Sequence, residues 1–135
     1  MNIKLNISNA ERKMIEETFS NWSDHFKAEL KSSGVDYLIK KYSDLVDEVK
    51  KGYDWEDFEY DNDISVRKAL HKILKILSGE NRTILFDEVN RLDNEMKPHL
   101  RVRSKNEKLG AEYLKNFPED EYWWEHFYPQ TIDER

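Results

Sequence analysis

Carboxylates fall on every second residue in Asp57-Phe58-Glu59-Tyr60-Asp61-Asn62-Asp63. Acids in such a row could ligate a cation or meet a basic surface. An EF-hand calcium loop needs Gly at its sixth position and a bidentate Glu at its twelfth. Counted from Asp57 those positions hold Asn62 and Lys68, and counted from Asp61 they hold Val66 and Lys72, so the pattern fails in both registers. His25, His71, His99 and His126 are scattered, with no H-x₃-H or H-E-x-x-H spacing, and no zinc site is specified. The glycines at 34, 52, 79 and 110 are isolated, whereas phosphate loops cluster them. Glu125-His126 adjoins aromatics, but neighbours in a chain rarely face each other, and the serines sit at caps and turns. No nucleophile, cofactor or metal site is assigned, and the expectation is a protein that is not an enzyme.

What remains is a chemistry of surfaces. The segment Tyr53–Asp63, YDWEDFEYDND, combines six acids and four aromatics with no base. In an extended chain Asp57, Glu59, Asp61 and Asp63 would lie on one side, repeating every ~6.6–6.8 Å, with Phe58 and Tyr60 on the other. Charge draws a basic partner in and flat rings hold it. The competing structural use is a helix cap, with Asp61 and Asp63 complementing the dipole of a following helix. Residues 119–129, EDEYWWEHFYP, repeat the composition, either as a lid on the core or as a patch of exposed rings. The expected partner-binding residues are Asp54, Trp55, Asp57, Glu59, Tyr60, Asp61 and Asp63, with Glu121, Trp124 and Glu125 beside them.

The charge distribution agrees. The net charge of −6 divides into −7 over residues 44–63, −5 over residues 118–135 and +6 elsewhere. Such segregation bears on partners and association rates rather than on fold. The basic run 97–108 could touch phosphate, but overall acidity opposes direct nucleic-acid binding, and a solvated edge is the simpler reading.

The elements that must position these residues are helical. Ser8 and Glu11 form a capping box, and Ile15, Phe19, Trp22, Phe26 and Leu30 then recur as one helical face ending at Ser32-Ser33-Gly34. Val35, Leu38, Ile39, Tyr42, Leu45, Val46 and Val49 stripe a second helix closed by Gly52. A third over 64–78 turns Val66, Leu70, Ile73, Leu74 and Leu77 inward and Arg67, Lys68, Lys72 and Lys75 outward, with Gly79 stopping it. A fourth over 82–96 presents Leu85, Val89, Leu92 and Met96 before Pro98. A fifth covers 105–116 with Leu109, Tyr113 and Leu114. Ile3, Leu5 and Ile7 alternate, as do Leu100 and Val102, and could pair as a small sheet. At 135 residues this predicts one domain (1–135), an all-α bundle of about five helices with a minor two-stranded β element.

There is no cysteine, no apolar run near the N-terminus and no stretch approaching the ~20 apolar residues of a membrane span. The expectation is a soluble cytoplasmic protein. In size, acidity, aromatic content and lack of cysteine the chain resembles the small bacterial immunity proteins that neutralise contact-dependent inhibition toxins and colicin-type nucleases. The paired-tyrosine acidic motif of colicin DNase immunity proteins is absent as such, with an echo in Tyr122-Trp123-Trp124 near acids. The resemblance implies an inhibitor whose acids meet the phosphate-binding groove of a basic toxin, or a surface adjacent to it, with its rings anchoring the contact. The main alternative is an acidic nucleic-acid mimic or adaptor regulating a DNA-binding protein, and the second is a small enzyme or metal-binding protein.

Overall fold

The computed structural model describes residues 5–103 and 115–132. Among them run helices α1 (Asn9–Thr18), α2 (Asp24–Ser33), α3 (Val35–Gly52), α4 (Asp57–Asp63), α5 (Ser65–Ile76) and α6 (Gly79–Met96), then strands β1 (Leu100–Val102) and β2 (Phe127–Pro129). The expected helical bundle with a small two-stranded sheet is what the chain forms. The fifth helix expected over 105–116 falls mainly outside the described residues, as does Ile3.

Helix α3 is the axis of the bundle, and its whole predicted stripe is buried. It packs against α2, α5 and α6. Gly52 closes it at φ 103°, a left-handed conformation that a side chain resists. Helix α1 starts as expected, with the reciprocal Ser8–Glu11 capping box formed.

The single N-terminal helix expected through Leu30 is instead two. Phe19 leaves helical geometry, and Ser23 caps α2 by accepting from the Phe26 N–H at 3.2 Å. The break lets Phe19, Trp22 and Phe26 gather into one aromatic cluster, with centroids 4.6–5.3 Å apart. The third helix differs too. Leu77 is extended and ends it, while Gly79, at φ 59°, begins α6 rather than stopping α5.

The acidic row is helical, not extended, and this overturns the expected one-sided display of carboxylates. As α4 it buries Tyr60, and the Ile64 that follows is buried too. Tyr60 stands edge-on between Tyr53 and Tyr128, at 5.4 and 5.8 Å. Burial of apolar surface at i and i+4 outweighs the alternation of charges, since exposed like charges repel only weakly in water. Neither Asp61 nor Asp63 caps α5, whose N-cap Ile64 has no side-chain cap bond. The Tyr60 hydroxyl is buried without a hydrogen-bond partner among the described residues, so Tyr60→Phe is expected to hold or raise stability by up to about 1 kcal/mol. Urea denaturation checks this, and a clear loss would mean the hydroxyl has an acceptor.

The sheet pairs Leu100 with Pro129 and Val102 with Phe127, antiparallel. The strand partner of Leu100–Val102 is therefore the C-terminal segment, not residues 5–7. Trp124 and Glu125, on the 3₁₀ turn Trp123–His126 before β2, are carried into the bundle. There Trp124 covers Arg67, whose guanidinium lies 4.2 Å from the ring centroid. Arg67, expected on the solvent face of α5, is buried. It makes two 2.9 Å bonds to Asp93 of α6, and Tyr42 of α3 donates to the same carboxylate. Burial and the Asp93 charge push the Tyr42 phenol well above its usual range, so it remains a donor.

Candidate functional site

The expected site residues separate into inward and outward groups. Tyr60, Trp124 and Glu125 are buried, so in this conformation they serve the core rather than a partner. Asp61 accepts from the Tyr128 hydroxyl at 3.1 Å and lies 3.8 Å from the Arg103 guanidinium, tying α4 to the sheet. Asp63 accepts from the Tyr53 hydroxyl at 2.6 Å. Glu121 pairs with Lys75 and lies 3.0 Å from His71 Nε2, latching the C-terminal segment to α5. Asp57 opens α4, and Glu59 is half-buried. Asp54 is exposed, and Trp55 is 59% exposed.

Trp55 is held by its environment. Its indole N–H donates to Glu48 Oε1 at 3.3 Å. Glu48 in turn lines a groove of about 380 Å³ between the α1–α2 connection, α3 and the start of α5. Its aromatic lining is Trp22, Phe26 and Tyr37, and its carboxylates are Asp44, Glu48 and Asp63. Asp44 and Glu48 stand one helical turn apart on α3, and α4 delivers Asp63 from the opposite wall. Lys41, also on the rim, lies 5.7 Å from the Tyr37 centroid, so a cation already rests near one ring. The groove therefore joins negative charge to ring faces, with an exposed indole beside it. Of the expected residues only Asp63 lines it, with Trp55 and Asp54 adjoining.

Trp22, Phe26, Tyr37, Asp44 and Glu48 were not expected there. Asp44 and Glu48 belong to the acidic stretch 44–63, and a charge count alone could have included them. Trp22 and Phe26 gave no such signal, because they fit the helical stripe of a core, and Tyr37 lay outside the predicted stripes.

Among the described residues no group of three or more His, Asp and Glu is placed to hold a metal, and no helix is long and apolar enough to cross a membrane. Comparisons with protein families, with curated proteins and with solved structures returned no match.

The latch at Glu121 sets a pH dependence. Burial lowers the His71 pKa from 6.5, opposed by its hydrogen bond to Glu121. A lowered folded value means that the unfolded chain binds the proton first. Stability is therefore fully present above pH 6.5 and falls as pH drops through the lowered folded pKa. Lys75 and His71 hold the Glu121 carboxyl below its usual range, so its contribution is lost at lower pH still. The urea midpoint should fall from pH 8 to about pH 5.5 in wild type and fall less in His71→Gln. Equal slopes would remove His71 from the effect.

Proposed function

We propose that this chain is an immunity-type inhibitor that binds a basic protein, a cognate toxin of nuclease type, through the acidic-aromatic groove and the neighbouring Trp55. The observation that carries the reading is the groove itself, where Asp44, Glu48 and Asp63 share walls with Trp22, Phe26 and Tyr37. Carboxylates on a rim speed capture by attracting a cationic surface. Exposed indole and ring faces supply the desolvated anchor that charge alone lacks. A lysine or arginine of the partner can seat between them by salt bridge and cation–π contact together. Such an inhibitor acts in the cytoplasm, without a cofactor and without catalysis of its own.

The test is capture from a lysate of the source organism by wild type and by Asp44→Asn/Glu48→Gln/Asp54→Asn. The expected result is a basic protein retained near one-to-one by wild type and lost by the variant. The retained protein should show a nuclease activity that wild type suppresses. Retention by the variant equal to wild type would move the surface elsewhere.

A further inference from the structure

A second cavity has the opposite charge. It holds about 210 Å³ between α5 and α6, the volume of roughly seven waters. From α5 it is lined by Arg67, His71 and Lys75, and from α6 by Arg82 and Asp93. Convergence of these bases on one hollow runs against a net charge of −6. The neighbouring acids are already engaged. Asp93 is taken by Arg67 and Tyr42, and Glu121 approaches His71 and Lys75 from the C-terminal segment. Arg82 has no ion pair among the described residues and is exposed. Leu74 and Val89 add apolar wall, and Phe86 stands 54% exposed on the lining. Arg67 is only 7% exposed, and its Nη1 has no hydrogen-bond partner among the described residues. With less than 1 Å² accessible, Nη1 lies behind the cavity wall rather than on it, so among the described residues the unpaired cation of the lining is Arg82.

We propose that the α5–α6 cavity binds a small aromatic anion, its ring against Phe86, Leu74 and Val89 and its charged end toward Arg82, since Lys75 is already paired with Glu121. Arg82 is exposed at the rim of the cavity. A fork of N–H donors suits a carboxylate or phosphate terminus. The site is separate from the acidic-aromatic groove and does not depend on it.

Phenyl phosphate is the probe, titrated at low ionic strength into isotope-labelled full-length chain and followed by NMR. Inorganic phosphate and phenol serve as the other arms. The expected result is saturable shifts at Arg82, Phe86 and Asn90, with inorganic phosphate and phenol each about tenfold weaker or more. Arg82→Gln and Phe86→Ala change exposed side chains, so the fold should survive, and each should weaken phenyl phosphate about tenfold. Shifts that do not saturate, binding unchanged in Arg82→Gln, or inorganic phosphate equal to phenyl phosphate would overturn the proposal.

Discussion

Replacing Asp93 with alanine is expected to cost about 3–5 kcal/mol of folding stability, the usual effect of stranding a buried charge. The carboxylate accepts two bonds from Arg67 and one from Tyr42. The side chains of Arg67 and Asp93 are only 8% and 6% exposed, so the guanidinium left behind stays largely desolvated. Arg67 cannot turn outward without abandoning Trp124, which lies over it. Equilibrium urea unfolding of Asp93→Ala measures the loss. The triple variant Tyr42→Phe/Arg67→Met/Asp93→Leu should recover most of it, because apolar side chains remove the stranded charge, the desolvation cost and the unmatched Tyr42 hydroxyl together. A loss below about 1 kcal/mol in Asp93→Ala would contradict the closed network.

Trp124→Ala is the second large effect, expected at about 3–5 kcal/mol. Trp124 is 1% exposed and meets the rings of His71, Tyr122 and Trp123 at centroid distances of 5.4–6.2 Å. Alanine would empty a large volume between α5 and the C-terminal segment and strip one face of the Arg67 guanidinium. Both consequences weaken the latch at Glu121, so the variant should also lose protection of the C-terminal amides in hydrogen exchange. Trp124→Phe is expected to cost less than half as much. It refills most of the volume and deletes an indole N–H that has no partner among the described residues. Equal losses in the two variants would mean that the indole N–H is bonded after all.

The sequence left Trp124 open between a lid on the core and an exposed ring that binds a partner. A tryptophan near acids reads equally well as an interface anchor or as a core ring, because apolar area drives both uses. What decided it was the antiparallel pairing of Phe127–Pro129 with Leu100–Val102, a contact between segments distant in the chain. Arg67 and Asp93 escaped for a related reason. Helical periodicity assigns faces by apolarity, so an ion pair that turns inward carries the wrong label at both ends. The α3 stripe, the Ser8–Glu11 box and Gly52 were legible because each depends on neighbours within a turn or two.

Alternating acids mimicked a strand in residues 57–63, yet Tyr60 and Ile64 were already one helical turn apart. Two of the acids then found hydroxyl donors, Tyr53 and Tyr128, that only the folded chain brings near. The groove was half legible. Its charge lay in the acidic stretch 44–63, while Trp22 and Phe26 looked like core and Tyr37 belonged to no predicted stripe.

The central claim is that this groove, rather than acidity in general, recognises a basic partner. The most direct test is one set of binding isotherms for the captured partner. It compares wild type, Asp44→Asn/Glu48→Gln/Asp54→Asn, and a charge-matched control, Glu16→Gln/Glu17→Gln/Asp36→Asn, whose positions are exposed and outside the groove. The account predicts affinity weakened by about a hundredfold in the groove variant and by less than about threefold in the control. Equal weakening in both would reduce the effect to net charge, and an unchanged groove variant would contradict the account.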